Sequence, residues 1–154
     1  MLIYTGNPNH MAISGYVYAI GAAITWGIVY TIDQRILRGA SPFALLFVDS
    51  LITIVILLPI FFLSRGSLQS LSGASTKTWV FIIASLILAA LANFLIFSSI
   101  KTLGASHASI FEIAYPFFVV VFSYFAFNAV PNLYFILGSI LMFSGAAIIV
   151  FFNG

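Results

Sequence analysis

Two carboxylates stand inside long apolar runs of this chain, Asp49 and Glu112. An ionised side chain near a bilayer centre costs at least about 2.5–3.5 kcal/mol on insertion scales, so it faces a cavity, a partner or a substrate. Asp49 falls about two turns into its run, with Thr53 one turn further along the same helical face. Glu112 falls about two turns into another, on a small and polar face with Ala105, Ala108, Ser109, Tyr115, Pro116 and Ser123. Pro116 lacks the N–H that would bond the carbonyl of Glu112, so a helix kink is expected at the level of that carboxylate. Bent helices are tolerated at membrane depth where they line a cavity. A carboxylate there can bind a cation or exchange a proton for a polar substrate. The structural alternative for Glu112 is a hydrogen bond within the bundle, to Asn93 or Tyr115; for Asp49 it is solvation near the headgroups. His107 reads as an interfacial cap more than a proton relay, and His10 belongs to the N-terminal segment.

Other chemistries find little support. The chain has no cysteine, which excludes disulfides, thiolate metal sites and cysteine nucleophiles. The sequence has no histidine pair at metal-ligand spacing, no serine elbow and no Gly-x-Gly-Asp-like aspartyl motif, so no metal and no cofactor are expected. An intramembrane enzyme using Asp49 and Glu112 as acid and base is the weakest reading. A net charge of +2 from five basic and three acidic residues gives no clustered basic patch, which argues against a nucleic-acid partner.

The elements that must position these carboxylates follow from composition. Hydrophobic residues make up 63% of the 154 residues and charged ones 5%, whereas a soluble domain carries about 25% charged residues. Lipid is therefore the solvent for most of the surface, and the fold class is an all-α integral membrane protein. A spanning helix needs about 20 apolar residues. Five segments qualify, at about 13–32, 43–63, 79–100, 105–127 and 133–152, behind an N-terminal segment 1–12. Residues 1–12 lack the basic region and cleavage site of a secretory signal, so the first helix is expected to direct insertion and the whole chain to be the mature protein.

Asp33, Arg35, Arg38 and Gly39 read as the flank after the first helix, Ser41 and Pro42 as the start of the second, and Trp79 as an aromatic at the headgroups opening the third. Short connections make consecutive helices antiparallel neighbours. Arg65 and Lys77 lie on one side and Arg35, Arg38 and Lys101 on the other, a two-against-three count that leaves orientation almost unbiased. Insertion in both senses is the sharper reading of that balance. Small residues recur on helix faces: Ala19, Ala23 and Gly27; Ser85, Ala89 and Asn93; Gly138 and Gly145. Such stripes pack helices closely and predict a tight bundle, the last pair also offering a face to a partner helix.

Ala23-Ile-Thr-Trp26-Gly27, Ser41-Pro42, the run Lys101-Thr-Leu-Gly-Ala-Ser-His-Ala-Ser109, Tyr115-Pro116 and Gly138-Ser-Ile-Leu-Met-Phe-Ser-Gly145 together resemble the EamA domain of the drug/metabolite transporter superfamily. The resemblance runs from about residue 13 to 152. It departs from the family's pattern at Asn128-Ala129-Val130, where a glutamate-bearing turn is common, and at Asp49, where a basic residue often stands. The resemblance implies a five-helix bundle that is one half of a ten-helix inverted-repeat transporter. It further implies alternating access as an antiparallel homodimer or with a paralogous five-helix partner, in a prokaryotic inner membrane. The small-molecule substrate would be a metabolite, amino acid or organic cation. In that reading Glu112 and Asp49 supply charge or proton coupling, Trp26, Asn93, Ser109 and Tyr115 shape the pocket, and Gly138 and Gly145 mark the dimer helix. A non-catalytic subunit of a heteromeric transporter is the alternative.

Overall fold

The computed structural model describes residues 8–64, 66 and 69–152; burial and side-chain contacts are described from residue 15 onward. Seven helices follow in order: α1 (Pro8–Leu37), α2 (Pro42–Leu63), α3 (Gln69–Ser72), α4 (Thr76–Leu103), α5 (Ala105–Glu112), α6 (Tyr115–Phe127) and α7 (Leu133–Phe152). No strand occurs among the described residues. The stretches long and apolar enough to cross a membrane number five: Gly15–Leu37, Pro42–Leu63, Thr76–Leu103, Ala105–Phe127 and Leu133–Phe152.

Local chemistry sets most helix ends. Ser41 caps α2, its side chain accepting from the Ala44 N–H at 3.1 Å, with Pro42 in the first turn where its missing N–H costs nothing. Ser75 caps α4 in the same way through the Thr78 N–H at 3.2 Å. That cap corrects the expected start at Trp79: the helix opens at Thr76 and includes Lys77, whose ammonium lies 5.8 Å from the Phe81 ring centroid. Asn128 closes α6 in the left-handed conformation (φ 53°) with Pro131 soon after, a common helix stop.

Three expected boundaries move further. The first helix begins at Pro8 rather than residue 13, and ends at Leu37 rather than residue 32. Asp33 and Arg35 are therefore inside α1, because polar side chains do not end a helix whose backbone bonds can continue and whose neighbouring Leu37 is buried. Similarly α4 continues through Lys101 to Leu103. The expected single helix 105–127 is two helices, interrupted at Ile113 and Ala114, with Pro116 in the first turn of α6. Residues 1–7 and Arg65 lie outside the described residues, as does the side chain of His10.

Packing is concentrated at one end of the bundle. The buried apolar residues are Tyr30, Leu37, Phe97, Ile100, Ala105 and Ala108, backed by Val29, Leu45, Leu46 and Ile96. These come from the end of α1, the start of α2, the end of α4 and the start of α5, which lie together on one membrane face. The most extensive helix packing is that of α4 against α5, α2 and α1. The tight bundle expected from the small-residue stripes is not seen within the single chain. Ala19, Ala23, Gly27, Ser85 and Ala89 are exposed, and a Cβ built at Gly27, Gly138 or Gly145 would meet nothing within 4 Å. Small residues allow close approach but do not supply a second helix to approach.

Candidate functional site

Among the described residues, side chains make three hydrogen bonds between different helices or their connecting turns, all at the packed end. Lys101 Nζ donates to the Ala40 carbonyl at 2.7 Å, joining the end of α4 to the α1–α2 turn. The Gln34 side-chain oxygen accepts from the Ala105 N–H at 2.7 Å, so α1 supplies the first turn of α5 with a side-chain acceptor. The turn between them needs Gly104, whose φ is 83° and whose Cβ position lies 3.6 Å from Gln34 Oε1. These two bonds fix α1 against α4 and α5, and so place the third.

The third marks the candidate site. Tyr30 Oη donates to Glu112 Oε1 at 2.8 Å, from a tyrosine that is buried to a carboxylate that is half-buried. Trp26, one turn earlier on α1, lies with its ring 5.5 Å from that of Tyr30 and is itself half exposed. Glu112 is the last residue of α5, so the interruption over Ile113 and Ala114 begins directly beyond it. Pro116 explains the break. It cannot donate to the carbonyl of Glu112, and its ring resists a continuous helix through that turn.

Depth aligns further groups with this pair. Tyr30, Asp49 and Glu112 each stand seven residues inside the packed end of α1, α2 and α5, which at 1.5 Å per residue is about 10 Å. Asp33 stands four residues inside, or about 6 Å. Asp33 follows Tyr30 by three residues, so the two stand on one face of α1. All three acidic residues of the chain therefore stand within about 10 Å of the packed end, on three different helices. No group of three His, Cys, Asp or Glu side chains able to hold a metal ion occurs among the described residues.

The other expected site residues do not converge on Glu112. Its hydrogen-bond partner is Tyr30, which corrects the expectation of Asn93 or Tyr115. Asn93 is half-buried on α4, Tyr115 is exposed on α6, and the Ser109 hydroxyl bonds back to the Ser106 carbonyl at 2.9 Å. Asp49 is exposed on the surface of the single chain, and His107 is half-buried on α5. A cavity of about 470 Å³ lies instead between α6 and α7, lined by apolar groups including Phe117, Tyr124, Phe135 and Phe143, with Ser139. None of the expected pocket residues lines it.

Three participants escape a reading of residue types. Asp33 reads as part of a charged flank, and Tyr30 and Gln34 carry no mark that singles them out. The signal available was periodicity: Trp26, Tyr30, Asp33 and Leu37 recur at intervals of four, three and four, one face of a helix that continues past Ile32.

No curated protein and no solved structure gives a significant match to the chain. The family comparison does: residues 13–151 match the EamA-like transporter family. With that match covering five long apolar helices, the chain is a multi-pass membrane protein that belongs to the EamA-like transporter family.

Proposed function

We propose that this chain is one five-helix unit of a secondary transporter that works as an antiparallel homodimer, moving a small organic solute by alternating access with Glu112 as its coupling carboxylate. The observation that carries this reading is the Tyr30–Glu112 hydrogen bond at 2.8 Å, beside a helix break and at membrane depth. A carboxylate with a neutral donor in reach can release or take a proton without losing its position. The broken helix gives it a backbone joint about which α5 and α6 can reorient. Trp26 and Tyr30 form an aromatic wall against which an organic cation or amino acid can pack.

The faces left open argue for a second copy. The Gly138 and Gly145 positions on α7 and the Gly27 position on α1 have open space around them, and Asp49 is uncovered on α2. An exposed carboxylate at about 10 Å depth is costly against lipid and tolerable against a partner or an aqueous cavity. The near-balanced loop charges are compatible with copies inserted in both senses. The membrane is in this reading the inner membrane of a prokaryote.

The test is uptake into proteoliposomes under an imposed pH gradient, screened over amino acids, nucleobases and quaternary amines. Gradient-dependent accumulation of at least one solute is expected for the native chain, and its loss in Glu112→Gln. Accumulation that Glu112→Gln leaves unchanged would overturn the coupling role. No transport in any arm, with the purified chain failing to self-associate, would favour a subunit that needs a different partner.

A further inference from the structure

Asp33 presents a problem that the Tyr30–Glu112 pair does not solve. The residue is 7% exposed, inside a membrane-spanning helix, and its Oδ2 atom is buried without a hydrogen-bond partner among the described residues. A buried carboxylate oxygen left unpaired is costly, and more so when it carries charge. The described cations at this end of the bundle do not relieve it. Lys101 is engaged with the Ala40 carbonyl, and Arg35, on the same helix, and Arg38, in the turn after it, are exposed. Asp49, about 10 Å inside the same end on α2, adds a second carboxylate and no cation. Of the remaining titratable groups on the packed helices, Tyr30 donates to Glu112, and His107 lies half-buried on α5.

Three kinds of partner answer differently. A proton neutralises the carboxyl but brings no donor from outside it to the second oxygen. A water molecule supplies a hydrogen bond but leaves the charge. An ammonium group supplies both, with N–H donors to spare for a second oxygen. An alkali ion would seek five or six oxygen ligands, and no trio of acidic or histidine ligands is gathered here.

We infer that Asp33, with Asp49 opposite it, forms a binding site for the protonated primary amino group of a small solute, separate from the Glu112–Tyr30 pair. The site lies about 6–10 Å inside the packed end of the bundle, between α1 and α2. It rests on the transport reading only in taking the bound amine to be cargo; binding itself is independent of transport. Because recognition needs N–H donors, a quaternary ammonium of similar size does not satisfy it.

The test is calorimetric titration of the purified, detergent-solubilised full chain with n-propylammonium, tetramethylammonium and sodium chlorides at constant ionic strength. Saturable n-propylammonium binding is expected, at least about tenfold tighter than tetramethylammonium and weakened about tenfold or more in Asp33→Asn. Asp49→Asn gives a second arm should Asp33→Asn fail to fold, with the same direction expected. Equal affinity for the two organic cations, binding by sodium alone, or n-propylammonium affinity unchanged in both variants overturns the site. Amine binding without proteoliposome transport leaves the site standing and counts against the transport reading; transport with no amine binding overturns the site.

Discussion

Glu112 owes its position to Tyr30, and the two residues depend on each other asymmetrically. Removing the hydroxyl leaves a half-buried carboxylate without its donor, whereas removing the carboxylate leaves a phenol that still packs among Phe97 and Ala108. Tyr30→Phe is therefore expected to lower stability by about 0.5–2 kcal/mol, the range measured for side-chain hydrogen bonds in membrane proteins. Unfolding in mixed detergent micelles measures it. In the cycle with Glu112→Gln the two effects are expected to be non-additive by about 0.5 kcal/mol or more; strict additivity would mean that the bond contributes nothing. The carboxylates Asp49 and Glu112 were legible in the sequence because charge inside an apolar run is rare and expensive. Asp33 was not, because the string Asp33-Gln34-Arg35 has the composition of a helix flank. What decides its place is Leu37, a fully buried residue one turn later that keeps α1 helical beyond the point where its composition turns polar.

At the level of elements, one end of the bundle is organised by a few exact fits and the other is left to its surroundings. The α4–α5 turn is the tightest of these. Gly104 adopts φ 83°, and Gln34 stands within 3.6 Å of where a Cβ would be. Gly104→Ala is expected to cost about 1–2 kcal/mol from backbone strain alone, and Gln34→Ala about 1 kcal/mol from loss of the Ala105 bond. Thermal unfolding of each variant reads both. The break between α5 and α6 was foreshadowed by Pro116, but as a bend rather than a separation into two helices. Proline chemistry locates the missing hydrogen bond; how far the chain opens depends on packing, which a single sequence does not display. Pro116→Ala restores the N–H that can bond Glu112, and slower amide hydrogen exchange over residues 113–117 is the expected result. Unchanged exchange there would show that the break has another cause.

For the whole molecule, five helices long and apolar enough to cross a membrane among the described residues, an odd number, would put Gly15 and Phe152 on opposite faces. Two copies in the same sense cannot reproduce an inverted pair, whereas two copies in opposite senses can. The stripes on α1 and α7 that find no neighbour within one chain acquire a purpose in such a pair. Their small residues were readable from spacing, yet whether they pack within a unit or between units was not, since the two uses require the same residue types. Bulk at the open α7 face is expected to separate the copies: Gly138→Leu with Gly145→Leu should reduce self-association about tenfold or more, by analytical ultracentrifugation in detergent, while leaving helix content intact. The antiparallel pair itself is tested most directly by a single cysteine at Asn128, in the α6–α7 turn, labelled in intact cells with a membrane-impermeant maleimide before and after permeabilisation. Opposite insertion predicts that about half of the cysteines react before permeabilisation and the remainder only after it. Reaction from one side alone would contradict the antiparallel homodimer.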